Sequence, residues 1–151
     1  MNQNTVHAEP LVVRQVFAQW TIAVPPAFDE TFVAKDGYWH AWDAHRSVSL
    51  TSLVITDRKG RRISAREILR QIVKVMPKEH GEPVVLPAGL EGWAVTIAAE
   101  PSARASRAIS GIVAVEGTAL VATITADDLS WATDVWLSIR RCRAPRTPGD
   151  A

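Results

Sequence analysis

The chain has 151 residues, 17 Lys and Arg against 16 Asp and Glu, and 47% apolar side chains. That size makes a single domain with a real core the simplest reading, and a net charge of +1 argues against a dedicated nucleic-acid binder, whose cations gather in excess on one face. One cysteine, Cys142, excludes an internal disulfide and a cysteine metal site, and no apolar run reaches the length of a membrane span.

Residues 1–11 are polar up to Pro10 and read as a flexible N-terminal arm. They lack the basic and apolar regions of a signal peptide, so a cytoplasmic location is expected. Residues 12–140 read as one domain. Even positions from Val12 to Val24 are apolar except Arg14, which predicts one long strand with a buried face, ended by Pro25-Pro26. Residues 28–37 give mixed signals and read as a connection, with Asp36-Gly37 as a turn. The aromatic run Tyr38-Trp39-His40-Ala41-Trp42-Asp43 suits a short strand. After a turn near Ala44-His45, residues 47–56 form another. Its apolar phase slips between Leu50 and Leu53, which implies either a bulge near Thr51-Ser52 or two covered faces.

Ser64-Ala65-Arg66-Glu67 is a capping box, in which Ser and Glu satisfy free backbone donors at a helix start. Ile68, Leu69, Ile72, Val75 and Met76 supply the apolar stripe of that helix, and Pro77 stops it. A short strand is expected at 84–86, and a longer one carries Trp93, Val95, Ile97 and Ala99 in alternation.

The organising element is RAISGIVAVEGTALVATIT, residues 107–125, where Glu116-Gly117 fits a two-residue hairpin turn. That turn pairs Val115 with Thr118, Val113 with Leu120, Gly111 with Ala122 and Ile109 with Ile124. The small layer at Gly111 and Ala122 leaves room for close approach by another element, for which the Ser64 helix is the expected candidate. Asp127 or Asp128 then caps a helix with Ala132, Val135, Trp136 and Ile139 on its inner side. Residues 141–151 read as a disordered basic tail. The order of elements predicts an α+β fold with a largely antiparallel sheet.

Chemistry is sparsely signalled. His40 and His45 flank Asp43, but no zinc-binding, phosphate-loop or nucleophile motif accompanies them. No catalytic residue, metal ligand or cofactor is therefore assigned, and a non-enzymatic role is expected. The aromatic stretch stands out: two of six Trp fall at Trp39 and Trp42. In a strand, Tyr38, His40 and Trp42 share one face and Trp39 takes the other. Tyr38, Trp39, His40 and Trp42 are the candidate protein-binding residues, since rigid aromatics on a strand anchor interfaces.

Taken together, Val24-Pro25-Pro26-Ala27-Phe28, the capped helix at Ser64, Leu86-Pro87-Ala88-Gly89-Leu90-Glu91-Gly92, the antiparallel strands and a last helix ending Trp136-Leu137-Ser138-Ile139 resemble the PsbP-like superfamily. That group includes the photosystem II extrinsic protein, the Ran-binding import factor, DcrB-type proteins and the Eag chaperones of secretion effectors. The resemblance covers residues 12–140 and implies an α-β-α sandwich with a role in binding or assembly. The resulting expectation is a non-catalytic protein-binding module, of a secretion-associated adaptor or chaperone kind, with a protein partner and with homodimerisation left open. The alternative is a small-molecule-binding protein or enzyme with a pocket near His40 and Trp42.

Overall fold

The described residues form two antiparallel sheets and two helices. A computed structural model describes residues 9–74, 90–99 and 105–142. The expected strand at 84–86, the positions Val75 and Met76, and residues 143–151 lie outside them.

Residues 12–24 are not one strand but a hairpin, β1 (Val12–Val16) and β2 (Trp20–Val24), joined through 17–19. Val12 pairs with Val24, Arg14 with Ile22 and Val16 with Trp20, so even positions share one face in both arms. The three-residue loop preserves the alternation across the reversal, and the period alone therefore does not show the turn. Phe17 makes the turn in the left-handed region, at φ 56°, and its ring packs on Phe32 at 5.6 Å. Arg14, the one break in the apolar phase, ties the hairpin to the next segment of chain. Its guanidinium donates to the carbonyls of Pro25, Pro26 and Phe28 and pairs with Glu30 at 3.1 Å.

The expected connection at 28–37 contains a strand, β3 (Asp29–Val33), followed by a single 3-10 turn and Gly37 at φ 59°. All five residues of β3 are exposed, as an edge strand allows, and that polar mixture hid the strand from any periodicity. The chain continues through β4 (Tyr38–Trp42), β5 (Ser47–Val54), helix α1 (Ala65–Val73), β6 (Glu91–Ala98), β7 (Arg107–Val115), β8 (Thr118–Thr125), helix α2 (Leu129–Leu137) and β9 (Arg140–Arg141). The large sheet runs in the order β3-β4-β5-β8-β7-β6, and the small one β1-β2-β9.

The β7–β8 hairpin has the register its turn dictates, from Val115 opposite Thr118 to Ile109 opposite Ile124. Gly117 alone supplies the positive φ, at 74°. No bulge interrupts β5, which keeps eight consecutive pairs with β8. Its phase slip has another cause: past Leu50 the strand leaves the main core, Leu53 stays partly exposed, and Ile55 just beyond β5 joins the α1 layer on the opposite face. Val48 and Leu50 enter the main core beneath the small sheet and α2, whereas Ile55 packs with Ile63, Leu69 and Ile72 against Ile112, Ala114 and Ala119.

Thus α1 covers part of one sheet face, and α2 with the small sheet covers the other. Ser64 caps α1 by accepting from the Glu67 N–H at 3.3 Å, but the Glu67 carboxylate turns outward to Arg70 and Gln71 instead of closing the box. Asp128 caps α2 through the N–H groups of Ser130 and Trp131, while Asp127 accepts from Ser106. Ala132, Val135, Trp136 and Ile139 are fully buried. The element that closes over Gly111 is α2, not α1: a Cβ there meets the Trp136 ring at 2.7 Å and Ala94 Cβ at 2.6 Å.

Both ends of the described chain are held. Glu9 pairs with Arg46, and Leu11 packs on the main core. Arg140 and Arg141 pair with Thr21 and Trp20, and the Cys142 N–H donates to the Gln19 carbonyl at 2.8 Å.

Candidate functional site

Alternation along β4 separates the four candidate aromatic and histidine side chains. Trp39 and Ala41 turn into the main core, and Tyr38, His40 and Trp42 turn to the face that also carries α1. Trp39 is 3% exposed, and its indole N–H donates to Glu30 at 3.1 Å, the same carboxylate that pairs with Arg14. It supports the strand from behind and does not share a surface with the other three.

Tyr38, His40 and Trp42 form a stacked column along the strand. The Tyr38 and His40 rings lie 6.1 Å apart and 12° from parallel, and the His40 and Trp42 rings 5.0 Å apart and 20° from parallel. All three are half-buried. Because the rings face one another, their edges point away from the sheet, apart from the outer faces at the two ends. His40 Nδ1 lies 2.8 Å from Ser49 Oγ on β5, and Tyr38 Oη lies 3.5 Å from the same oxygen. The hydroxyl thus fixes the His40 ring, and each end of the column is held by its neighbour.

Strand register lays a polar floor beside this column. His40 is in line with Thr31, Ser49, Thr123 and Ser110, and Trp42 with Ser47 and Thr125. Tyr38 is flanked by Val33 and Thr51. The packing of α1 centres on Ile112, Ala114 and Ala119, toward the opposite half of this face. The hydroxyl-bearing positions are missing from the candidate residues, although Ser47, Ser49 and Thr51 at period two, with Thr123 and Thr125, are their signal in the sequence.

Behind Trp42 the β4–β5 turn is unusually well fixed. Asp43 Oδ1 accepts from the backbone N–H groups of His45 at 2.8 Å and Arg46 at 2.7 Å, while Oδ2 takes the Arg46 guanidinium. Burial pushes the Asp43 carboxyl up, but the Arg46 side chain and the two backbone donors outweigh it and hold it below the usual range. Arg46 also bonds Glu9 and lies 4.5 Å over the Trp131 ring and 5.4 Å over Phe28, which ties the turn to α2. His45 therefore serves the turn and does not join His40. Among the described residues no three His, Cys, Asp or Glu side chains converge. A hollow of about 260 Å³ lies toward the far edge of the sheet, lined by Thr96, Ile97, Ala98, Ser106 and Arg107, and not beside His40 and Trp42.

No family model and no curated protein matches the sequence. Similarity appears in the fold. The solution structure of a cyanobacterial PsbP from Synechocystis superposes with a TM-score of 0.54 and 10% identity, over 94% of this chain and 98% of that one. A crystal structure from Bacteroides thetaiotaomicron gives a TM-score of 0.58 and 10% identity, over 84% of this chain but 46% of the other, so this chain spans about half its length. The architecture is α+β and PsbP-like, with two helices on antiparallel sheets.

Proposed function

We propose that this PsbP-like chain is a non-catalytic binding module that receives a protein partner on the β4 half of its large sheet, with Tyr38, His40 and Trp42 as the anchor. The observation that carries this reading is the stacked column itself: three rings stacked along one strand, half-buried, beside a floor of hydroxyls. Ordering such side chains on binding costs little entropy, and desolvating them is favourable. The adaptor or chaperone role, the cytoplasmic setting and homodimerisation belong to this proposal as its specific forms. A pocket for a small molecule at His40 and Trp42 is the weaker reading, because the rings spend their faces on each other.

Photo-crosslinking from position 31, the exposed β3 neighbour of His40, in the native host tests it. One stoichiometric polypeptide, either a partner or a second copy of the chain, is expected, and Tyr38→Ala should abolish its capture. Sizing chromatography separates the two cases. Unchanged capture by folded Tyr38→Ala and His40→Ala variants carrying the same crosslinker would remove the column from the interface.

A further inference from the structure

The near-neutral total conceals a segregation of charge. Residues 57–74 contain seven Lys and Arg against two Asp and Glu, which leaves ten against fourteen for the rest of the chain. All seven cations, Arg58, Lys59, Arg61, Arg62, Arg66, Arg70 and Lys74, are exposed. Asp57 pairs with Arg61 at 2.8 Å and Glu67 with Arg70 at 2.7 Å. Among the described residues the other five make no salt bridge.

The fold presents these charges on a fixed frame. After β5, Thr56 bridges to Arg62, and the Asp57 carboxylate accepts from the N–H groups of Lys59 and Arg61, so 57–62 is a tight, internally bonded loop. The Gly117 backbone bonds Ile55 on one side and Ile63 on the other, which seats that loop beside the β7–β8 turn. Arg66, Arg70 and Lys74 then recur at a spacing of four along the outer side of α1. At the base of the loop Leu53 is 39% and Val54 82% exposed, beyond the end of β4.

We propose that this lobe docks on an anionic lipid surface, with Arg58, Lys59, Arg62, Arg66 and Lys74 among the headgroups and Val54 at the apolar boundary. The chemistry favours lipid over other polyanions. Residues 53–74 contain no Phe, Trp, Tyr or His. Half-buried Trp93 packs in the α1 layer with Leu69 and Ile72, so this segment brings no aromatic side chain of its own for stacking on bases or anchoring a protein. Exposed aliphatic side chains beside unpaired cations are what a headgroup layer accommodates. Outside residues 57–74 carboxylates outnumber cations fourteen to ten, and of these Glu116 lies in the turn beside the loop, so the seven cations are the basic side the chain offers to an anionic surface. The site is separate from the β4 column, and either stands without the other.

Co-sedimentation of the full chain with vesicles tests the proposal. Binding is expected to phosphatidylcholine vesicles containing about one-third phosphatidylglycerol, and not to phosphatidylcholine alone. Each cation near such a surface is worth about fivefold in partition, so Arg58→Gln/Lys59→Gln/Arg66→Gln should weaken it on the order of 100-fold. The charge-preserving Arg58→Lys/Lys59→Arg/Arg66→Lys should retain it. Val54→Ser, at an exposed position where folding is unaffected, should lower partition by up to about tenfold. Three results overturn the proposal. They are no vesicle binding by the full chain, equal binding by the triple Gln variant, or an unchanged Val54→Ser variant that binds a single-stranded oligonucleotide as well as lipid.

Discussion

At the residue scale, two positions show how a sheet face decides the effect of a substitution. Gly111 sits where Ala94 and the Trp136 ring converge, and an added methyl there has neighbours under 3 Å. Gly111→Ala should therefore cost about 1–3 kcal/mol in denaturant unfolding, although alanine is the less flexible residue. A neutral result would mean that α2 yields to it. The need for a small residue was legible from the register. The identity of the covering helix was not, because both helices offer an apolar stripe and only three-dimensional packing chooses between them. Trp39 and Trp42 make the second case. Trp39 fills the core and satisfies its indole N–H with Glu30, while Trp42 ends a half-exposed column. Trp39→Ala should cost about 3–5 kcal/mol, and Trp42→Ala at least ~2 kcal/mol less. Equal unfolding free energies would mean that both faces of β4 are equally covered. Alternation placed these two rings on opposite sides, but the sequence does not say which side is core, since Trp39-Ala41 and His40-Trp42 are similar in apolarity.

At the element scale, the most misleading stretch was the first. A three-residue loop keeps the parity of β1 and β2, so Val12 to Val24 has the pattern of one strand, and only Phe17 at positive φ marks the reversal. The exposed edge strand β3 carries no pattern to detect. Helix caps and the Gly117 turn were legible because each depends on local chemistry. The polar partners of His40 were not, since they arrive from β5, β8 and β7 through register. The same applies to β9, whose two arginines have the composition of a tail yet pair with β2. A chain ending at Cys142 should keep its melting temperature within about 2 °C of the full chain. One ending at Ile139 loses β9 and the Cys142–Gln19 bond. It should melt lower by roughly 3 °C or more. Coincident melts would show that β9 adds nothing.

At the scale of the whole molecule, Arg46 is the clasp between Glu9 of the N-terminal segment, the β4–β5 turn and α2. Its hydrogen bond holds the Glu9 carboxyl below its ordinary value of 4.5, and Asp43 lies below its own 3.8. The native state therefore binds fewer protons than the unfolded chain where these groups titrate. Their stabilisation is present above about pH 4.5 and is lost as pH falls through the depressed native values. The gap in unfolding free energy between the natural chain and Arg46→Gln should be widest near pH 7 and narrow on acidification below about pH 4. Urea melts across that range read it directly. A gap independent of pH would leave only the stacking of Arg46 on Trp131 and Phe28.

The pairing of β2 with β9 also sets a timetable. Trp20 meets Arg141 across 121 positions of sequence. At a synthesis rate of about 5–20 residues per second, the first hairpin emerges roughly 6–24 s before the strand that completes its sheet. During that interval Trp20, Ile22 and Val24, none of them exposed in the finished protein, have neither β9 nor α2 against them. The apolar face of β2 thus waits for its cover until the last described elements, α2 and β9, have been made.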